Sequence, residues 1–113
     1  MTQPAELDLR RERAAHNQSL FREVNEGIGE LVSNAAYLEF ACECTDDTCT
    51  ETVPLTHEEY EHIRSDSNSF FVIAGHEIAE IEEIVESTDR YVVVAKLGRG
   101  AAVAERLDPR RRP

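Results

Sequence analysis

The sequence predicts an α+β domain: a long N-terminal amphipathic helix, a small antiparallel sheet, one short helix, and a zinc-stapled turn. Three observations carry this expectation. Apolar residues recur at helical spacing from Phe21 to Leu31. Alternating and β-branched runs follow at 37–44 and 91–97. Three cysteines fall within eight residues as Cys42-x-Cys44-x4-Cys49.

At 113 residues, 41% of them apolar, the chain fits one domain. A chain of this size buries roughly two-thirds of its unfolded surface, so its core is modest and a cross-link adds to it. The expected organisation is a frayed segment over 1–8, a folded domain over 9–97 and a flexible tail over 98–113.

The first helix is expected from Leu9 to Ser33, with Phe21, Val24, Ile28 and Leu31 at a/d spacing and Leu20 and Val32 widening the stripe. Gly27 and Gly29 each cost ~1 kcal/mol in a helix interior, and Asn17 interrupts the seam. Docking of this stripe on the protein's own sheet is therefore preferred, with a homodimer through the same stripe as the alternative. Asn34 can end the helix. Residues Tyr37 to Cys44 alternate with period two, and Thr45 to Thr48 are turn chemistry. Thr52–Leu55 fits a short edge strand, because Pro54 has no donor. Thr56 and Glu59 form a capping box that opens a helix to Arg64, with Tyr60 and Ile63 inward. Phe70 to Ala74 reads as a strand ending at Gly75-His76. Residues 77–87 suit a helix through Ile78, Ile81, Ile84 and Val85, or a strand paired with Tyr91–Leu97 across Thr88-Asp89-Arg90. The hairpin is favoured.

The cysteines carry the chemistry. Zinc takes four tetrahedral ligands, and a strand end followed by a tight turn delivers three of them from a short segment. In a strand Cys42 and Cys44 point to one face, so their sulfurs converge. The competing reading is three small apolar residues packed at a strand end. Glu43, Asp46, Asp47 and Glu51 lie nearby in sequence; carboxylates disfavour a reactive thiolate and favour a cation. For the fourth ligand His76 is preferred, with His57 as the alternative and Asp46, Asp47 or water after them. His16 and His62 read as surface side chains. Three thiolates and a neutral imidazole fill the zinc shell and leave no place for an activated water.

Charge narrows the partners. With 23 acids, 12 bases and a formal net charge of -11, the body repels nucleic acid and anionic lipid. Arg110–Arg112 is the one uninterrupted run of three bases, and Lys96 is the single lysine. The N-terminus has no apolar signal region, and no stretch approaches ~20 apolar residues, so a cytoplasmic protein with reduced thiols is expected.

Catalytic motifs fall short. His57 and His62 are i,i+5 and sit ~140° apart on a helix, unlike zincin ligands. His76-Glu77 has no second histidine at zincin spacing, and the HxE and PCxxC elements of zinc deaminases are missing. Gly98-Arg99-Gly100 is a fragment of a dinucleotide fingerprint with no third glycine. Neither a Walker A loop nor a nucleophile elbow occurs.

The order Phe40-Ala-Cys-Glu-Cys, Cys49, Pro54-Leu-Thr-His-Glu-Glu-Tyr, Phe71-Val-Ile-Ala-Gly-His and Tyr91-Val-Val-Val-Ala-Lys resembles a family of small uncharacterised bacterial proteins of high-GC origin. The resemblance spans about residues 10–97 and implies no activity; its Gly-His block adds weight to His76. The expected function is a non-enzymatic, zinc-stabilised protein-interaction module of regulatory or adaptor type. A thiol-based redox or zinc-release sensor is the alternative, and a metal-dependent hydrolase comes third.

Overall fold

The computed structural model describes residues 4–31, 35–46 and 48–111. A 26-residue helix, α1 (Pro4–Gly29), is followed by the strands β1 (Leu38–Ala41) and β2 (Thr52–Leu55). Helix α2 (His57–Arg64) leads to β3 (Ser69–Val72), β4 (Glu82–Ser87) and β5 (Val92–Lys96). Helix α3 (Arg99–Arg106) and a 3-10 turn over Pro109–Arg111 close the described chain. The α+β class, the long first helix and the antiparallel pairing are as the sequence predicts.

The strands form two sheets. β1 and β2 pair antiparallel, with Phe40 opposite Val53, and β5 lies between β3 and β4 in an antiparallel three-stranded sheet. The 77–87 stretch resolves into the hairpin: β4 pairs with β5, with a register shift between Ile84 and Glu86. The capping box of α2 forms in full, Thr56 Oγ1 accepting from the Glu59 amide while the Glu59 carboxylate accepts from the Thr56 amide. That cap points Tyr60 and Ile63 into the core as expected.

Aromatic packing joins the sheets. Phe40 of β1 stacks on Tyr60 of α2 with ring centroids 4.5 Å apart, and Phe71 of β3 meets both rings edge-on. Gly29 permits this cluster, since a Cβ there would stand 3.1 Å from the Tyr60 ring.

Helix α1 docks on the body, but through a different face from the one its apolar spacing indicates. Ala14, Ala15, Gln18, Ser19, Arg22 and Asn25 are buried, whereas Leu20, Val24 and Leu31 face outward and Phe21 and Ile28 are half-buried. The buried side chains bond what the short strands and loops leave unpaired. Asn25 donates to Ala41 O (2.9 Å) and to the Glu43 carboxylate (2.9 Å), and accepts from the Ala41 amide (2.8 Å). Gln18 donates to Glu43 O at 2.8 Å, and Arg22 donates to Ser67 O (2.6 Å) and Ala104 O (2.7 Å) over the Phe70 ring. Gln18 Oε1 and Arg22 Nε are left without a partner, but the other buried donors and acceptors on this face are paired, which a stripe of aliphatics with nothing to lie on would not achieve.

Two expected boundaries also move. Residues 4–8, expected to be frayed, are helical, while residues 1–3 and the expected helix end at Val32, Ser33 and Asn34 lie outside the described residues. The segment 98–113, expected as a flexible tail, carries α3, which buries Gly100, Val103 and Ala104. Gly98 opens α3 at φ +57, and Gly100 lets it approach the α1 backbone at Arg11 O. This accounts for the Gly98-Arg99-Gly100 fragment. Beyond α3, Asp108 is buried against Arg64. Arg110, from the basic run, is engaged by Glu26 and Glu61.

Candidate metal centre

Cys42 immediately follows β1, and its amide donates to Glu51 O at 3.1 Å, extending the β1–β2 pairing by one step. The Glu43 amide donates to Phe71 O at 3.0 Å, which ties this segment to β3. The pleat then sends Cys42 and Cys44 to one side and Glu43 to the other. Cys49 returns on a turn built by Asp46, whose carboxylate accepts from the Thr48 amide (2.9 Å) and hydroxyl (2.6 Å). The Cys49 amide bonds Asp46 O at 3.0 Å. On the facing side β3 ends in a turn with Gly75 at φ +99, a conformation that suits glycine, and the His76 amide donates to Ile73 O. That turn swings the imidazole over the cysteines.

The ligand atoms of Cys42, Cys44, Cys49 and His76 all lie within 4.8 Å of one another. His76 Nδ1 is 3.5 Å from Cys42 Sγ and 3.8 Å from Cys49 Sγ. A tetrahedral zinc shell has S···N edges of about 3.6 Å, from bond lengths of about 2.3 and 2.0 Å, so these separations fit. Cys42 and Cys44 are buried, and Cys49 and His76 are half-buried. Among the described residues this is the one group of His, Cys, Asp and Glu side chains that could hold a metal ion.

The surroundings prepare the sulfurs for a cation. Burial pushes the Cys42 thiol well up, against the pull of the Ile73 amide, and the neighbouring Cys44 and Cys49 add to the rise. Burial raises Cys44 as well. Such thiols stay protonated at neutral pH on their own, and a divalent cation supplies the charge that makes them thiolates. The Ile73 amide donates to Cys42 Sγ at 3.4 Å, the kind of backbone bond that spreads thiolate charge.

The structure brings together the four residues that the sequence analysis named as metal candidates, and several of the secondary expectations fail. His57 sits exposed at the start of α2, 4.0 Å from Glu61, and is remote from the cluster as a ligand. Asp46 spends its carboxylate on Thr48, and Asp47 lies outside the described residues. Glu43 does not surround the thiols; its buried carboxylate faces α1, where burial pushes its pKa up to about 7 against the donors Asn25 and Phe71 N–H. Burial, rather than nearby acids, is thus the leading cause that holds the Cys42 and Cys44 thiols protonated.

Sequence reasoning missed the supports of the site. Gln18 and Asn25 grip the backbone of Ala41 and Glu43, on either side of Cys42. Their signal was present as polar residues at 18, 22 and 25, one face of a helix, which pattern reading assigns to solvent. A scan against protein-family models and searches of the curated proteins and the solved structures found no match to this chain.

Proposed function

We propose that the chain is a zinc-stapled, non-catalytic protein-interaction module of regulatory or adaptor type. The observation that carries the zinc part is the convergence of three thiols and one imidazole, drawn from two sheets, within 4.8 Å. Sulfur-rich tetrahedral sets favour zinc over magnesium or calcium, which prefer oxygen. Four protein ligands complete the shell, so the site serves as a staple: β1 and the β2 turn on one side, the end of β3 on the other. The interaction part is supported by an apolar helix face left outward on an otherwise acidic chain.

Protein purified without chelator should hold about one zinc per chain, with its three thiols slow to alkylate until a chelator is added. His76→Ala should weaken zinc retention by at least ~10-fold, whereas His57→Ala should leave it unchanged. Metal-free protein with freely alkylated thiols would overturn the zinc reading, and equal effects of the two substitutions would overturn the assignment of His76.

One observation keeps a redox-sensing role as the second reading: Cys49 is the half-exposed thiol of the three. In that chemistry peroxide takes two electrons from Cys49 and a neighbouring thiolate, a disulfide forms, the peroxide with two protons leaves as water, and zinc is released. Zinc release at low peroxide together with loss of partner binding would favour it over a constitutive staple.

A further inference from the structure

The outer face of α1 is unlike the rest of the helix. Leu20 and Val24, 55% and 56% exposed, lie one turn apart on α1, half a turn away from the buried Gln18, Arg22 and Asn25, and Leu31, 62% exposed, follows just past the helix end. Single exposed aliphatics are ordinary, but an ordered stripe of them is a contact surface. Phe21 and Ile28 continue it along one shoulder.

Gly27 sits in the stripe between Val24 and Leu31. Its φ is not positive, and a Cβ there would meet nothing within 4 Å. Nothing within the chain therefore calls for glycine at a position where it costs ~1 kcal/mol against alanine. Close approach of an outside helix does call for it.

Charge selects the occupant. Arg13 lies near the N-terminal end of this face and Glu30 near its C-terminal end, and neither has an ion-pair partner among the described residues. A second copy laid antiparallel brings Arg13 of each chain beside Glu30 of the other. With the two-fold axis at position 22, Leu20 of each chain lies level with Val24 of the other, Asn17 with the gap at Gly27, and Arg13 within about one residue of Glu30. One register satisfies the apolar, steric and charge requirements together, as an isologous contact requires. We infer that α1 is a self-association surface, pairing antiparallel with α1 of a second copy of this chain. The inference rests on the reading of the chain as an interaction module but not on its zinc. Residues 13–29 span ~26 Å of helix, and a single-helix contact buries less than the ~1,600 Å² of a standard interface, so a weak, concentration-dependent pair is expected.

Sedimentation equilibrium of the full chain from about 10 to about 500 µM should show a monomer–dimer equilibrium. Leu20→Gln with Val24→Gln, which leaves charge unchanged and alters exposed positions only, should raise the dissociation constant at least ~10-fold with the melting temperature preserved. Arg13→Glu and Glu30→Arg should each weaken the dimer, and the two together should restore it. A wild type that stays monomeric throughout would overturn the inference, as would a dimer indifferent to the Gln pair or a double charge reversal that fails to rescue. Zinc measured on the same samples separates the two claims: a zinc-loaded monomer defeats only the self-association, and a metal-free dimer defeats only the staple.

Discussion

At the scale of single residues, the buried charges decide more than the apolar side chains around them. Arg64 is fully inside, donating to Glu26 at 2.8 Å and to Asp108 at 2.5 Å. Burial alone would raise the Asp108 carboxyl, but bonds from Arg64, Ser67 and the Arg110 amide outweigh it and hold the group well below the usual carboxylate range. The sign of the pH dependence follows. Because the folded value lies below the unfolded value of about 3.9, the contribution is fully present above pH ~4 and is lost as pH falls through the folded value. Asp108→Asn should cost about 2–3 kcal/mol at pH 7, less than a fully orphaned partner would, since Arg64 keeps Glu26. Urea titrations of both proteins should show the gap narrowing between pH ~4 and ~2. A gap that stays constant over that interval would show that Asp108 does not titrate as the pairing requires.

At the scale of elements, α1 and α3 are held by polar bonds between side chain and backbone. Arg22 of α1 reaches Ala104 O in α3, and Gly100 of α3 lies against Arg11 O of α1. An eight-residue helix with two buried apolar side chains has little stability by itself and exists because this contact holds it. Removing residues 99–113 leaves the Arg22 guanidinium short of one acceptor and Arg64 short of Asp108. Each loss leaves a buried charged donor under-satisfied, at about 1–3 kcal/mol apiece. The truncated protein should melt at least ~5 °C lower, by the usual scaling for a domain of ~100 residues. An unchanged melting temperature would mean that α3 contributes nothing to the domain, as the sequence alone suggests.

For the whole molecule, the candidate metal centre and the aromatic cluster lie as two separate joints between the same two sheets. Phe40, Tyr60 and Phe71 make the apolar joint, and Cys42, Cys44, Cys49 and His76, gathered at the ends of β1 and β3, would make a second joint with a metal bound. A metal held by these four side chains would link positions 27 to 34 apart in the chain and so remove substantial freedom from the unfolded state. Chelation should therefore lower the melting temperature by roughly 10 °C or more while leaving a folded, helix-rich chain. Scanning calorimetry with and without chelator, with circular dichroism at 25 °C, reads both quantities. Complete unfolding on chelation would assign the fold to the metal alone, and no change at all would remove the staple. No helix among the described residues is long and apolar enough to cross a membrane.

Local chemistry determined much of this protein. Thr56 and Glu59 fix the start of α2, the valine run fixes β5, Pro54 keeps β2 at an edge, and the Cys-x-Cys alternation puts two sulfurs on one side; each depends on residues close in sequence. Even His76 was legible, because a glycine before it and a strand before that leave the imidazole free to turn. Which face of α1 goes inward was decided only by tertiary structure. Periodicity ranks faces by apolar content, and that ranking fails when the surface beneath offers unpaired carbonyls, amides and carboxylates in place of an apolar floor. Gln18, Arg22 and Asn25 find such partners at Glu43, Ser67, Ala104 and Ala41, none of them near in sequence, and so the aliphatic stripe stays outside. The same long-range bonds turn residues 99–108 from an apparent tail into a packed helix and buried carboxylate. A hydrogen bond between distant residues leaves no period in the sequence, and this chain uses such bonds to orient its longest element.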